Sequence, residues 1–158
     1  MPSRNACNIL PATLAEIART PQVVGVKEAS GDLAQMAEVI SLCPGDFAVL
    51  SGDDALTLPL LAIGRDGVIS TSSNVAPREM VSLVRAFRGG DVDHARRMHY
   101  QLLPLFQVLF CETNPIPVKA ALEMMGLCGP EIRLPLLCMS EPNRERLQVV
   151  LKELGLSG

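Results

Sequence analysis

The sequence predicts an α/β fold with parallel strands, followed by a region made of helices alone. Three short apolar segments alternate with three segments whose apolar residues recur at helical spacing. Such an alternation indicates parallel strands joined by right-handed helical crossovers, because an antiparallel hairpin needs no intervening helix. After Gly90 only the helical periodicity continues. We therefore expect an α/β region over residues 1–90 and a helical region over residues 91–158.

The elements of the first region follow from apolar spacing and from their stop signals. A helix over 11–19, closed by Pro21, precedes the first strand at 23–27. Asp32 provides an N-cap for the next helix, which a Cys-Pro-Gly sequence ends at 43–45. The nearly all-apolar strands indicate burial on both faces of the sheet. The remaining elements are a strand at 47–51, a helix from about 54 to 63, a strand at 67–71 and a helix from 77 to 87.

The second region contains three predicted helices. Asp91 or Asp93 caps a long helix that extends to Phe110. The other two helices cover 117–125 and 141–154, and a glycine follows each of them, as is common at helix C-termini.

Composition argues against several classes of partner. The net charge is −3 and the 14 basic residues are scattered, so we expect no nucleic-acid binding. No apolar run approaches the ~20 residues of a membrane span, and the first residues do not have the pattern of a secretory signal. We therefore expect a cytoplasmic protein without a membrane partner.

The cysteines and histidines do not form a metal-binding pattern. The five cysteines include no C-x-x-C pair, and no histidine cluster lies near them. Reduced thiols packed as small apolar groups are the expected state. We expect no metal site and no cofactor.

Lys27 is the main candidate for chemistry. The apolar run at 23–26 places its amine at the edge of a polar turn. An amine held against apolar neighbours loses solvation of its charged form and becomes a usable nucleophile, which a Schiff base requires. The spacing alone leaves open a strand-end lysine that simply reaches water.

Five segments in series resemble one known family, with the lysine among them. They are Pro2-Ser3-Arg4, Lys27 to Asp32, Ser51 to Asp54, Gly67 to Ser70 with Asn74-Val75, and Asn114 to Lys119. In order and approximate spacing they are similar to the dihydrodipicolinate synthases, members of the class I aldolase family that includes N-acetylneuraminate lyase. The resemblance covers essentially the whole chain, but the match begins in the middle of the family's longer polypeptide. It implies the C-terminal half of a TIM (β/α)8 barrel, with about three parallel strands, over residues 1–90 and a C-terminal helical appendage over 91–158.

The resemblance also implies a reaction and its residues. Lys27 would form an imine with pyruvate, and the derived enamine would add to aspartate semialdehyde, without a metal or a cofactor. Gly52 and Ile69 match positions that line the pyruvate pocket, although a turn glycine and a core isoleucine are equally good explanations. Arg4 matches an arginine that assists binding of the aldehyde substrate through a carboxylate, whereas its position alone fits an exposed arginine near a terminus.

Strand alternation adds an expectation about the neighbours of Lys27. In a barrel strand, Gly25 and Lys27 would point inward while Val24 and Val26 would pack against helices. Gly25 would then provide space beside the amine.

Half a barrel leaves three interpretations open. The family's proton-shuttling threonines and tyrosines have no counterpart here, so the chain can be a truncated synthase that is inactive alone. It can also be a non-catalytic half-barrel that self-associates, as a homo-oligomer, or pairs with an N-terminal fragment. The third interpretation, a lyase of 2-keto sugar acids, is disfavoured by Arg4 and Asp53. In each case the inward-facing Leu50 and Ile69 would face water in an isolated chain.

Overall fold

The computed structural model describes residues 6–156, which divide into two compact units, one ending at Ser70 and one beginning at Thr71. The first unit contains α1 (Pro11–Ile17), β1 (Gly25–Glu28), α2 (Leu33–Leu42), β2 (Ala48–Ser51), α3 (Thr57–Ala62) and β3 (Gly67–Val68). The second contains a 3₁₀ turn (Ser72–Asn74), α4 (Pro77–Arg88), α5 (Val92–Val108), α6 (Ile116–Met124) and α7 (Glu141–Glu153).

The sheet of the first unit is parallel throughout, with the order β1-β2-β3. Its register places Lys27 opposite Leu50 and places Ser51 opposite both Glu28 and Val68. Helices α2 and α3 provide the two crossovers between consecutive strands. The predicted alternation of parallel strands and helices is confirmed.

The core of the first unit lies on the helix side of the sheet. Val49 of β2 is fully buried among residues of α1, α2 and α3, and Val26 of β1 packs against the same cluster. The first turn of α2 is capped as predicted, because Asp32 Oδ1 accepts hydrogen bonds from Ala34 N (2.8 Å) and Gln35 N (3.3 Å). The other buried members of the cluster are Leu14, Ala18, Met36, Val39, Cys43, Phe47 and Leu60.

Two details of the predicted strands are wrong. Val24 does not pack against helices and is 75% exposed, because Val23 takes the core position and the alternation changes before β1 begins at Gly25. The third strand is shorter than 67–71 and ends at Val68. Ile69 N still donates to Ser51 O (2.8 Å), but the backbone then enters the 3₁₀ turn.

The second unit is helical, as predicted. Asp91, rather than Asp93, caps α5 by accepting a hydrogen bond from His94 N (2.9 Å). The division between the compact units falls at Ser70, and α4 packs against α5 within the second unit. A domain boundary at residue 90 stays a prediction. Within residues 6–156, no helix is both long and apolar enough to span a bilayer.

Candidate functional site at the carboxyl edge of the sheet

Three of the four predicted site residues lie at the carboxyl ends of neighbouring strands. Lys27 is the penultimate residue of β1, Gly52 follows the last residue of β2, and Ile69 follows the last residue of β3. In parallel α/β folds this edge is where ligands bind, since the loops and helix N-termini converge there. The fourth predicted residue, Arg4, lies outside the described residues.

Gly52 is in close contact with the end of β1. A Cβ atom at this position would lie 2.6 Å from Ala29 Cβ, 2.9 Å from Glu28 O and 3.0 Å from Lys27 Cε. The Gly52 N–H donates to Glu28 O at 2.6 Å. The absence of a side chain at position 52 therefore leaves the space that the Lys27 side chain occupies.

Gly25 does not have the role that strand alternation predicted for it. Its Cβ would meet Ala48 O at 2.7 Å and Ala48 Cβ at 2.9 Å, because Ala48 is its direct partner in the parallel register. Gly25 thus permits close pairing of β1 with β2. The glycine that provides space beside the Lys27 side chain is Gly52.

The loop after β2 is held by its own polar groups. Ser51 is fully buried, and its hydroxyl donates to Asp53 O (2.6 Å) and accepts from Asp53 N (3.1 Å). The Asp53 carboxylate accepts a hydrogen bond from Ala55 N (2.9 Å). These bonds fix the loop in which Gly52 lies.

The side chains at this edge are open to solvent. Lys27 is exposed and Ile69 is 45% exposed, while Leu50 is half-buried. Within residues 6–156 the Lys27 side chain is exposed, so the expected apolar enclosure of its amine is not formed by the described residues. The expectation that Leu50 and Ile69 face water agrees with the structure.

Sequence reasoning assigned no functional role to the residue that follows Lys27. Glu28 is buried, with 5% exposure, and its carboxylate accepts hydrogen bonds from the backbone of Ser30 and the side chain of Gln35. The strand pattern contained a signal, because alternation makes the residue next to an inward-facing lysine point to the helix side of the sheet. A carboxylate in that position requires partners that the sequence does not identify.

No group of three or more His, Cys, Asp or Glu side chains in residues 6–156 is arranged to hold a metal ion. The five cysteines all lie in this range and form no disulfide.

Comparison with known proteins identifies the family. The sequence profile of the Dihydrodipicolinate synthetase family matches residues 1–154. The chain belongs to this family. Among curated relatives, the 4-hydroxy-tetrahydrodipicolinate synthase of Syntrophus aciditrophicus (strain SB) is 54% identical over 158 residues, which are 100% of this chain and 54% of that protein.

Solved structures give the same result. The crystal structure of dihydrodipicolinate synthase from Thermotoga maritima superposes with a TM-score of 0.96 at 49% identity and covers 99% of this chain and 54% of its own. A chloride-inhibited dihydrodipicolinate synthase from Acinetobacter baumannii, complexed with pyruvate, matches with a TM-score of 0.94 at 38% identity, covering 99% of this chain and 54% of its own. The chain thus spans about half the length of the relatives it matches. The predicted fold, the C-terminal half of a (β/α)8 barrel with a helical region after it, is confirmed.

Proposed function

We propose that this chain carries the Schiff-base lysine of a 4-hydroxy-tetrahydrodipicolinate synthase and that Lys27 is that lysine. The observation that carries the proposal is the packing of Gly52 against Lys27 at the carboxyl edge of the sheet. A glycine that only ends β2 would not need to leave space for a lysine side chain on the neighbouring strand β1. The names of the relatives support the same reaction, and the Acinetobacter baumannii relative was solved with pyruvate, a ketone that an amine can attack.

In the proposed reaction the neutral Nζ of Lys27 attacks the ketone carbon of pyruvate, and loss of water leaves an imine. The protonated imine nitrogen draws electrons while the pyruvate methyl group gives up a proton, which yields an enamine. The enamine carbon then forms a bond to the aldehyde carbon of aspartate semialdehyde, whose oxygen takes up a proton. The amino group that came from aspartate semialdehyde then attacks the imine carbon and displaces Nζ, which closes a ring and frees Lys27 as an amine. The product of this condensation belongs to the route to diaminopimelate and lysine.

The other site residues would bind the substrates. We assign to Gly52 a backbone contact with pyruvate and to Ile69 an apolar contact, since both lie at the carboxyl edge beside Lys27. We assign to Arg4 a bidentate contact with the carboxylate of the aldehyde substrate, which a guanidinium matches in geometry.

We further propose that the 158-residue chain is inactive alone and that its partner is a polypeptide with the other half of the barrel. Lys27 and Ile69 are solvent-exposed, whereas imine chemistry needs an enclosed amine and positioned acid–base groups, each of which contributes about 10²–10⁴-fold. Within the described residues β1 and β3 are edge strands, since each pairs only with β2. Homo-oligomeric assembly and a cytoplasmic location stay predictions.

Reconstitution of a barrel tests the function. The chain would be fused behind the first half of the Syntrophus aciditrophicus relative and assayed with pyruvate and aspartate semialdehyde. We expect turnover by the fusion, no turnover by its Lys27→Ala variant, and unchanged turnover by Lys152→Ala, in which an exposed lysine of α7 is removed. Borohydride should reduce the imine and leave the pyruvate-derived group bound to Lys27, which an increase in the mass of the peptide that contains Lys27 would show. Turnover by a folded Lys27→Ala fusion would assign the imine to another amine.

A non-catalytic half-barrel is the second candidate, and the exposure of Lys27 and Ile69 favours it. In that case the open face of the sheet serves only to associate with another chain. Absence of turnover and of pyruvate trapping in a folded fusion would support it. The third interpretation, a lyase of 2-keto sugar acids, predicts instead that the fusion cleaves N-acetylneuraminate.

A further inference from the structure

The carboxylate of Glu28 lies on the face of β1 opposite to Lys27. It is only 5% exposed, although it belongs to the most polar class of side chains. Both of its oxygens are 3.2 Å from Ser30 N, and Oε1 also accepts a hydrogen bond from Gln35 Nε2 at 3.1 Å. A buried carboxylate is retained only where such donors satisfy it, so the position of Glu28 is fixed by these contacts.

Gln35 is itself fixed by a second amide. Asn8 Nδ2 donates to Gln35 Oε1 at 2.6 Å, and Gln35 Nε2 contacts Asn8 Oδ1 at 3.2 Å. The carboxylate at the end of β1 is therefore connected to the first turn of α2 and, through it, to the segment that precedes α1. Asn8, Glu28 and Gln35 line one cleft together with Lys27.

The backbone of Glu28 is held from the other side by β2. Its carbonyl accepts the Gly52 N–H at 2.6 Å, and the carbonyl and Lys27 Cε both lie within 3.0 Å of the position that a Gly52 Cβ would take. The last residue of β1 thus has its carboxylate bound on the helix side and its carbonyl bound on the strand side. Because Lys27 is the adjacent residue, these contacts set the direction in which its side chain leaves the strand.

We propose that Glu28 is a positioning residue for Lys27, acting through the Glu28–Gln35–Asn8 hydrogen bonds and the Glu28–Gly52 backbone contact. The proposal rests on the proposed function of Lys27 as the Schiff-base amine. Orientation matters for such an amine, because a displacement of about 1 Å can reduce a rate by roughly 10²-fold. Glu28 does not touch the substrate in this scheme.

The first test is a contact measurement on the full 158-residue chain. We expect a nuclear Overhauser effect between the Lys27 Hε and the Gly52 Hα protons, its loss in Glu28→Ala, and its recovery in Glu28→Gln, which keeps an oxygen acceptor for Ser30 N. Glu38→Ala is the matched control, since Glu38 is an exposed carboxylate on the same helix as Gln35. A folded Glu28→Ala chain that keeps the Lys27–Gly52 contact would overturn the proposal.

The second test measures the chemistry in the fusion with the first barrel half. Borohydride trapping of pyruvate on Lys27 should slow by about 10-fold to 100-fold in Glu28→Ala and stay within a few-fold of the original rate in Glu28→Gln. An unchanged trapping rate in folded Glu28→Ala would contradict the proposal. If Glu28→Ala does not fold, Gln35→Met is the substitute variant, because it removes the donor to Glu28 together with the amide contacts to Asn8. It should slow trapping several-fold, and an unchanged rate there counts equally against the proposal.

The two tests separate this proposal from the function on which it rests. If the original fusion does not trap pyruvate on Lys27, the Schiff-base role is wrong. The contact measurement does not depend on that role and still decides whether Glu28 positions Lys27.

Discussion

The two units differ in where their exposed apolar residues lie. In the second unit, leucines from three helices are fully buried, namely Leu83, Leu102, Leu105, Leu147 and Leu151, and so is Ala121 of α6. In the first unit the helix side of the sheet has a buried core, but on the other side Leu50, the partner of Lys27 in the register, is half-buried and Ile69 is exposed. The exposed apolar residues of the second unit include Leu134 (83%) and Leu137 (69%), which lie between α6 and α7, whereas in the first unit Leu50 and Ile69 leave one face of the sheet open. The candidate chemistry lies on that open face.

The largest effect on the reaction of Lys27 should come from a substitution at Gly52, which lies against the backbone of Glu28 and the side chain of Lys27. An alanine there brings a Cβ within 3.0 Å of three heavy atoms, one of which is the Glu28 carbonyl oxygen, and this atom cannot move away as a flexible side chain can. We expect Gly52→Ala to reduce pyruvate trapping on Lys27 in the reconstituted barrel by about 10²-fold.

Gly45→Ala is the matched control for Gly52→Ala. No heavy atom lies within 4 Å of its added Cβ, and its backbone does not need a positive φ. Its trapping rate should equal that of the parent fusion. Equal rates for Gly52→Ala and Gly45→Ala would mean that Gly52 does not define the space around the amine.

Stability measurements sharpen the comparison between the two units. Leu105→Ala in the second unit removes a fully buried side chain and should lower the free energy of unfolding by about 2–5 kcal/mol. Ile69→Ala on the open face should change it by less than about 0.5 kcal/mol in the isolated chain, because the side chain is 45% exposed. Denaturant titration of both variants measures the difference.

The same pair of variants tests whether a partner covers the open face. In the reconstituted barrel Ile69→Ala should become destabilising by about 1–3 kcal/mol as its side chain becomes buried, while the cost of Leu105→Ala should not change. An Ile69→Ala cost that is equally small in both forms would show that the added barrel half does not pack on this face.

Much of the fold could be predicted from local sequence, while the fine structure of the site could not. The parallel strands follow from short apolar segments between helices, and Lys27, Gly52 and Ile69 follow from positions at strand ends. Gly25 was misassigned because the atom that a glycine faces depends on the register with Ala48, which only the folded sheet defines.

The partners of Glu28 were missed for a related reason. They come from Gln35 and, through it, from Asn8, residues that are distant in sequence and meet only when α2 packs beside β1. Exposure of the Lys27 amine could not be predicted from its apolar neighbours in sequence either, since enclosure depends on what packs against this side of the sheet.

Within the second unit, the hydrogen bonds of one carboxylate fix the start of α7. Glu112 Oε1 accepts hydrogen bonds from Ser140 Oγ (2.6 Å), Asn143 Nδ2 (2.7 Å) and Ser140 N (3.1 Å). The hydrogen bond from the Ser140 hydroxyl, followed by that from Asn143, lowers the pKa of Glu112. Glu112→Gln removes the charge from these bonds and should lower the free energy of unfolding at pH 7 by about 1 kcal/mol.

This contribution of Glu112 should depend on pH in a defined direction. Because the pKa of Glu112 is lower in the folded chain than in the unfolded one, the stabilisation is present above the unfolded value of about 4.3 and is lost as the pH falls through the lower folded value. The difference in unfolding free energy between the parent chain and Glu112→Gln should therefore be constant near neutrality and shrink in acid. Glu145→Gln, an exposed carboxylate on α7, is the control and should show little difference at pH 7. The difference in unfolding free energy between the parent chain and Glu112→Gln could instead stay constant from pH 7 to the lowest pH at which the chain is folded. That result would show that the charge of Glu112 does not contribute to the contact.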